Sequence, residues 1–429
     1  MLLRFEVSNH RSIMRPVEFS MIAVDEDREG ARAFEGFPHQ LVTVAAIYGP
    51  NASGKSNLLD SLYWLASAVG RSLRQWENLI PREPFRFKPG PESESTFEIE
   101  MMVDEVRYTY RLVVDDSNVV FEGLYSYPLR VRRSLFEREG MELNLRRGLG
   151  TIAGTKELLT PTTLALSAAM RFEEPEVTSF GRKLADIGIL GPNRMYLRKY
   201  PILRSYPPYA STHELFLDNA ERFQPALFDA VDNRFGREAA LALLRFADLG
   251  IDDVQIVEEL VVEGTGGTPR RRRRTKLVHR AAKERLPFDL ADESDGTQTW
   301  YGIIGPVLWA LRRGQLVLFD EIDASLHPRL TARLLELFQD PVTNPRGAQL
   351  VFTSHDTSLL NHLNRDEVWF TEKNTDGETD LRALAEYGGD KVRRSLNLER
   401  AYLQGRFGAV PELDQQLIRT VMGLAVEAD

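Results

Sequence analysis

The sequence predicts an α/β fold with a parallel or mixed sheet, an antiparallel β subdomain and a mainly helical insert. An apolar run at residues 41–48 leads into a glycine-bearing loop and a helical pattern, the order of a buried parallel strand and its following helix. Residues 96–127 alternate apolar and polar side chains in short runs, as antiparallel hairpins do. After residue 297, helical and strand patterns alternate as far as residue 353, which is typical of α/β layering.

The elements of the first half follow from periodicity. Residues 2–7 alternate and predict a strand, whereas residues 41–48 are mostly apolar, as in a strand buried on both faces. Apolar residues at helical spacing predict a helix over 56–69. Helical patterns then dominate from about 161 to 250, for example over 226–246.

In the second half, residues 254–262 and 276–280 predict a hairpin around a loop with the sequence GTGGTPRRRRR. The glycine, threonine and proline residues argue against packing of this loop, and its consecutive arginines repel one another. The remaining predicted elements are a helix over 297–312, a strand over 316–319, a helix over 328–338 and a strand over 349–353.

Four regions are expected along the chain. Residues 1–175 form the N-terminal part of a head that includes the antiparallel subdomain, and residues 176–280 form a helical lid with the basic hairpin. Residues 281–370 complete the head, and residues 371–429 form a C-terminal tail. The sequence has no internal repeat and no sustained heptad pattern, so a long coiled-coil arm is not expected.

Composition excludes several classes of protein. The 43% of hydrophobic residues suits a sizeable core, and the net charge of −9 argues against a uniformly basic nucleic-acid binder. The absence of cysteine excludes disulfides and cysteine-ligated metal sites. We find neither a signal-peptide pattern nor a run of 18 apolar residues, and therefore expect a cytoplasmic protein without a membrane partner.

The most specific motif is the glycine loop that begins at Gly49 and reads GPNASGKS, which fits G-x-x-x-x-G-K-[ST] at every position. The glycines permit a tight turn, and the loop amides and the helix N-terminus then face an anion. A lysine supplies charge to phosphates and a serine hydroxyl supplies a ligand to Mg²⁺. A chance glycine loop is the alternative, but the strand before it and the helix after it argue against chance. The candidate ATP contacts here are Asn51, Gly54, Lys55, Ser56 and Asn57.

Two carboxylates, Asp320 and Glu321, follow the predicted strand 316–319. Ligands of open α/β sheets bind at the carboxyl ends of the strands. Asp320, with Ser56, is the candidate Mg²⁺ ligand, and Glu321 is the candidate base that orients or deprotonates water. Alone, this pair could be a solvated turn, but a phosphate-binding loop in the same chain favours the functional interpretation.

Two further motifs lie on either side of this pair. Ser294 can cap a helix that Gly296 leaves open to an anion, and an ordinary helix cap is the alternative. His355 follows the strand 349–353 and could reach a γ-phosphate, although a lone histidine is more often structural. Their spacing, 26 residues before and 35 after Asp320, favours a functional role.

Together these motifs resemble the nucleotide-binding domain of ABC-type ATPases, in the order Walker A, signature, Walker B and switch histidine. The signature reads ESDGT, as in the soluble class related to SMC and RecF proteins. The segments GPNASGKSN, SDGT, DEIDASLHP and YLQGRFGAVP resemble most closely the RloA-like abortive-infection ATPases. The resemblance implies an ABC-type P-loop ATPase head that uses ATP and Mg²⁺.

The resemblance also implies roles for single residues. Ser294 and Gly296 would contact the γ-phosphate of ATP held by a second chain, so a homodimer or higher oligomer is expected. Arg11 would add a phosphate contact. Asp323 and Ser325 would lie in the loop that links the two sites. One departure is the lack of an assignable Q-loop glutamine, because no glutamine lies between positions 75 and 224.

Three functions remain open from the sequence. The first is a defence ATPase that senses phage infection and controls a separate effector, a nuclease or toxin, since the chain itself has no evident nuclease motif. The second is a RecF-like ATPase that clamps DNA in repair, and the third is an ATP-gated scaffold.

An arginine run could bind nucleic acid or an acidic partner, or could be a solvated loop. The run consists of Arg270, Arg271, Arg272, Arg273 and Arg274.

Overall fold

The computed structural model describes residues 1–26, 28, 30–191, 211–217, 230–261, 270–282, 284–324, 326–387 and 397–407. For residues 129, 230–235, 260–261 and 270–272 it describes the backbone alone. Ser325 and residues 408–411 of the late YLQGRFGAVP motif lie outside this part of the chain.

The described strands follow in chain order. The first eight are β1 (Leu2–Ser8), β2 (Val17–Ser20), β3 (Val44–Tyr48), β4 (Ser95–Val103), β5 (Val106–Val114), β6 (Val119–Ser126), β7 (Arg133–Glu139) and β8 (Glu142–Leu145). The later ones are β9 (Gly188–Leu190), β10 (Ile251–Val261), β11 (Arg270–Ala281), β12 (Glu284–Asp289), β13 (Leu316–Phe319), β14 (Gln349–Thr353), β15 (Val368–Lys373) and β16 (Thr379–Ala383).

The described helices are distributed over the same length. They are α1 (Lys55–Gln75), α2 (Thr155–Leu158), α3 (Ala165–Ala169), α4 (Pro175–Ala185), α5 (Ala230–Ala247), α6 (Asp295–Arg313), α7 (Pro328–Gln339) and α8 (Leu398–Leu403). Among the described residues, no helix is long and apolar enough to cross a membrane.

A six-stranded sheet with the order β16-β15-β3-β14-β13-β9 forms the centre of the molecule. Its strands from β15 to β9 are parallel, and β16 pairs antiparallel with β15 at one edge. Because β3, β13 and β14 are neighbours and parallel, their carboxyl ends meet at one edge of the sheet. The loops after these three strands carry most of the candidate site residues.

The central strands separate two hydrophobic cores. In β3, Ala45 and Ile47 point into a core shared with α1, α4 and the antiparallel sheet, whereas Val44, Ala46 and Tyr48 point into the opposite core. Helices α5, α6 and α7 cover that second face. All five β3 residues are buried, which explains why the strand lacks a polar face.

The antiparallel subdomain is a seven-stranded sheet with the order β2-β1-β4-β5-β6-β7-β8. Every pair in it is antiparallel, and β1 pairs with both β2 and β4. Apolar side chains of this sheet pack with α1 in the first core. The fold is therefore the mixed α/β class that the sequence predicts, with a parallel-to-mixed sheet and an antiparallel sheet. The division into four regions stays a prediction.

The arginine run is in a strand, so the prediction that it lies in a loop is wrong. A third sheet, β10-β11-β12, includes all five arginines in β11. The ladder sets Arg273 opposite Glu258 and Arg272 opposite Glu259. Acidic residues on the facing strand offset the repulsion that argued against a strand, since opposite charges across a ladder stabilise it.

Candidate functional site

The glycine loop after β3 requires both of its glycines. Gly49 has φ +153° and Gly54 has φ +108°, in the region that side chains disfavour. A Cβ atom on Gly54 would overlap the hydroxyl of Thr379, and one on Gly49 would overlap the carbonyl oxygen of Thr371. The loop is therefore packed against β15 and β16 as closely as the backbone permits.

Lys55 opens α1 with its side chain turned back into the loop. Its Nζ donates hydrogen bonds to the carbonyl oxygens of Gly49 (2.8 Å) and Pro50 (3.0 Å), and the residue is only 6% exposed. Burial lowers the pKa of the Lys55 ammonium to about 8, against the opposing effect of Asp320 and Glu321. A buried cation in a glycine loop is suited to bind a multiply charged anion.

A chain of hydroxyl groups holds the loop in place. The hydroxyls of Ser53 and Thr371 lie 2.6 Å apart, and Thr379 Oγ1 donates to the Ser53 carbonyl at 2.8 Å. Asn57 Nδ2 donates to Ser12 Oγ at 2.6 Å, and Ser12 Oγ lies 2.7 Å from Thr379 Oγ1. These contacts join the loop to β15, β16 and the turn after β1. Of these residues, only Asn57 is among the candidate ATP contacts named from the sequence.

Asp320 lies at the carboxyl end of β13 and is 2% exposed. Its Oδ1 accepts hydrogen bonds from Ser56 Oγ and from Thr353 Oγ1, both at 2.8 Å. A carboxylate beside a serine hydroxyl is an oxygen donor set that fits Mg²⁺, which usually takes its other ligands from phosphates and water. Among the described residues, no group of three or more His, Asp or Glu side chains could hold a metal ion.

Glu321 follows in a strained conformation. Its φ is +53°, unusual for a residue with a side chain, and its N–H donates to Thr353 Oγ1 at 2.7 Å. Backbone strain of this kind concentrates at functional sites. The Thr353 hydroxyl thus contacts both Asp320 and the Glu321 backbone. Sequence reasoning missed Thr353, and its only signal is its place as the last residue of β14, directly before Ser354 and His355.

His355 lies at the same edge, in the turn after β14. Its backbone N–H faces the Asp323 carboxylate, with distances of 3.2 and 3.3 Å to the two oxygens, and the residue is exposed. Asp323, in the turn after β13, therefore ties the two turns together. The structure brings the loop residues, Asp320, Glu321 and His355 to one edge, as parallel strands require.

Ser294 caps α6 and is exposed. Its Oγ accepts a hydrogen bond from the Thr297 N–H at 3.2 Å and lies 3.0 Å from the Thr297 hydroxyl. Within the described chain these contacts stay inside the first turn of α6, which includes Gly296. The Glu293 side chain contacts His279 Nε2 at 2.8 Å, so β11 packs against the start of this helix.

The remaining two candidates occupy different surroundings. Arg11 has φ +50°, and its guanidinium pairs with Asp60 on α1 (2.7 Å) and with Glu83 (3.3 Å). It borders a pocket that Asn57 also lines, so it lies beside the loop with its charge matched by carboxylates. Asn51 is exposed at the tip of the loop. Contact of either residue with a phosphate stays a prediction.

A family model described as "AAA domain, putative AbiEii toxin, Type IV TA system" matches residues 44–162 and 196–361, more than half of the chain. The glycine loop lies in the first matched segment, and Ser294, Asp320 and His355 lie in the second. Comparison with curated proteins gives no match. The chain therefore belongs to this family, whose AAA domain is of the P-loop ATPase class.

Proposed function

We propose that the chain binds Mg²⁺–ATP and hydrolyses it to ADP and phosphate. The observation that carries this proposal is the bracket around Asp320, in which Ser56 and Thr353 both donate to Oδ1 while Thr353 also accepts from the Glu321 N–H. It joins the phosphate-binding loop, the candidate metal ligands and the candidate base through direct hydrogen bonds.

Each residue has a defined role in the proposed site. Lys55 exchanges its carbonyl partners for phosphate oxygens, and Ser56 and Asp320 hold Mg²⁺, which neutralises charge on the phosphates. Glu321, half-buried at the sheet edge, orients and deprotonates the attacking water. His355 donates a hydrogen bond to the γ-phosphate from the neighbouring turn.

We further propose that two chains close over each ATP. The support is that Ser294 and Gly296 stand at the exposed N-terminus of a 19-residue helix, where unpaired amides and the helix dipole favour an anion. The contacts of the Ser294 hydroxyl stay within its own turn, so a phosphate could approach from outside the chain. Asp323 would lie near the interface, because it borders the exposed His355.

The biological role that best fits is control of a toxic partner. The matched family is described by reference to the AbiEii toxin and a type IV toxin–antitoxin system, and the motifs resemble RloA-like abortive-infection ATPases. We therefore propose a sensor or scaffold in anti-phage defence, in which the ATP state governs a separate nuclease or toxin. A RecF-like DNA clamp is less favoured, because Arg273 and Arg274 pair with Glu258 and Glu259.

ATP binding and phosphate release by matched variants test the enzymatic proposal. Lys55→Ala should weaken ATP affinity at least about tenfold, whereas Glu321→Gln should bind ATP normally and lose at least about 100-fold in turnover. Ser294→Arg should bind ATP but fail to hydrolyse it, and Glu336→Gln, on the exposed face of α7, is the control. Turnover by Glu321→Gln at the wild-type rate would contradict the assignment of the base.

A further inference from the structure

A pocket of about 450 Å³ opens directly beside the phosphate-binding loop, outside the bracket around Asp320. Its walls come from the turn after β1, the segment 83–87 and the β15–β16 hairpin, and Asn57 forms the side that faces the loop. Asn57 follows Ser56 in sequence, so a triphosphate on the loop would end at the mouth of this pocket.

The wall is continuous with the loop through direct contacts. Ser12 in the pocket accepts from Asn57 and touches Thr379, which in turn donates to the carbonyl of Ser53. On the far side, the position of a Cβ on Gly377 would lie 3.8 Å from the ring of Phe87. Asn57 and Phe87 therefore line one pocket beside the loop.

Phe87 is unusual because it is 66% exposed, although it is a large aromatic residue. Its one described ring neighbour is Phe85, at 5.5 Å between centroids and tilted by 56°, so a face of the ring is open to the pocket. Covering an exposed aromatic face buries apolar surface and is favourable. A planar aromatic ligand would cover it.

The segment that carries Phe87 is held rigidly. Asn9 Oδ1 accepts from the Phe85 N–H at 2.9 Å, and Asn9 Nδ2 donates to the Gly90 carbonyl at 2.8 Å. The Arg11 N–H donates to the Glu83 carbonyl at 2.6 Å. These bonds tie both ends of the segment to the turn after β1, so the ring is positioned before a ligand arrives.

The pocket also has the charge that a nucleotide needs. Arg86 and Lys373 are exposed at its rim, and neither forms an ion pair with any residue that the structure describes. Arg11 adds a third cation, although it pairs with Asp60 and Glu83. The combination of a cationic rim and an open aromatic face matches a planar base attached to a phosphate chain.

We propose that this pocket, the Phe87 pocket, receives the nucleoside of the nucleotide whose phosphates lie on the glycine loop, with the base stacked on Phe87. The ligand class is a nucleoside 5′-triphosphate. The inference rests on the proposed function, since it assumes that the loop binds phosphates. It adds a residue that sets affinity for the nucleoside and contributes nothing to the phosphates.

The test compares Mg²⁺–ATP with Mg²⁺–tripolyphosphate, which has the phosphates without the nucleoside. Phe87→Ala should weaken ATP affinity about tenfold, as expected for loss of one stacked base, and leave tripolyphosphate affinity unchanged. Phe87→Trp should retain wild-type ATP affinity. Phe246→Ala, which removes another exposed phenylalanine at the end of α5, is the matched control and should change neither affinity.

The outcomes separate this inference from the proposed function. If Lys55→Ala loses both ligands but Phe87→Ala binds ATP as the wild type does, the Phe87 pocket is wrong and the phosphate site stands. An equal loss of ATP and tripolyphosphate in Phe87→Ala would also overturn the inference, because it would indicate general damage. If the wild type binds neither ligand, the proposed function itself fails.

Discussion

At the scale of single residues, the Thr353 hydroxyl connects the carboxylate of Asp320, the candidate Mg²⁺ ligand, to the backbone N–H of Glu321, the candidate base. Replacing it with valine keeps the side-chain shape but removes the hydrogen bonds to Asp320 Oδ1 and the Glu321 N–H. We expect Thr353→Val to lower ATP turnover at least about tenfold, because Glu321 would lose its fixed orientation. Steady-state phosphate release measures the effect.

Thr353→Ser supplies the matched control, because serine keeps the hydroxyl while it loses only a methyl group. This variant should retain most of the turnover, and both variants should bind ATP with similar affinity. If Thr353→Val turns over ATP as fast as Thr353→Ser, the hydroxyl does not position Glu321.

The lowered pKa of Lys55 leads us to expect that ATP affinity depends on pH. Burial lowers the pKa of its ammonium to about 8, and bound phosphates would raise it again. Above pH 8 the free protein has lost this proton and must take one up on binding, so affinity should fall by up to about tenfold per pH unit. Calorimetry in buffers of different ionisation enthalpy should show proton uptake at pH 9 and little at pH 7. Equal affinity at both pH values would contradict this.

At this scale, the sequence identifies site residues best where one motif includes several of them. Lys55, Ser56 and Asp320 could be named because a phosphate loop and a strand-end carboxylate have recognisable patterns. Ser12, Thr353 and Thr379 could not, because a single hydroxyl has no sequence signature until the sheet brings distant segments together. Their roles depend on contacts between residues more than 30 positions apart.

At the scale of elements, a buried ion pair joins the antiparallel sheet to α3. Glu122 in β6 and Arg138 in β7 are both 0% exposed, and their charged groups lie 3.8 Å apart. Glu122 accepts the N–H groups of Ala165 (2.6 Å) and Leu166 (2.8 Å), while Arg138 donates to backbone carbonyls that include that of Thr160. Burial raises the pKa of the Glu122 carboxyl.

We expect Arg138→Met to lower the free energy of unfolding by about 3–5 kcal/mol, because it leaves a buried carboxylate unpaired. Adding Glu122→Gln should recover part of this loss, so the double variant should be more stable than the sum of the single changes predicts. Arg333→Met breaks the exposed pair with Glu336 on α7 and should cost under about 1 kcal/mol. Chemical denaturation measures all of them, and additive losses would contradict the coupling.

Elements were predictable where burial alone determines them. The strands β13 and β14 have the predicted bounds, because continuous apolar runs have few alternatives in a layered fold. The arginine strand was not predictable, because its compensating acids, Glu258 and Glu259, lie on another strand. The three-residue strand β9 is too short to give a periodic signal and exists by pairing with β13.

At the scale of the whole molecule, the buried carboxyl of Glu367 should make the stability of the fold depend on pH. Burial raises the pKa of Glu367 to about 7, although Arg28 lies 3.4 Å away and opposes the shift. A raised carboxyl pKa means that the folded state holds its proton more tightly. The protonated Glu367 carboxyl therefore makes its full contribution to the free energy of unfolding below about pH 4.5, and this contribution is lost as the pH rises through about 7.

Glu367→Gln should remove this contribution while keeping an acceptor for the Asn364 N–H. Between pH 4.5 and 7 the wild type should lose up to about 3 kcal/mol relative to the variant. Thermal unfolding across this pH range measures the difference, and Glu336→Gln, an exposed substitution, is the control. A constant difference between the wild type and Glu367→Gln would contradict a raised pKa.

The fold class was predictable from the order of strand, loop and helix, because the glycine loop, Asp320 and His355 each follow a strand that the sequence makes apolar. An assembly of chains is expected only from the resemblance, since the exposed cap at Ser294 looks like any other helix start within one chain. The proposed closure of two chains over ATP is therefore the central claim.

The measurement that tests this claim most directly is the solution mass of Glu321→Gln with and without Mg²⁺–ATP, beside Lys55→Ala and Ser294→Arg. Removing the base while keeping the Mg²⁺ ligands should trap the closed state. We predict that ATP raises the mass of Glu321→Gln to that of at least two chains, and leaves Lys55→Ala and Ser294→Arg unchanged. A Glu321→Gln variant that binds ATP and keeps the mass of one chain would contradict the account, and Ser294 would then be an ordinary helix cap.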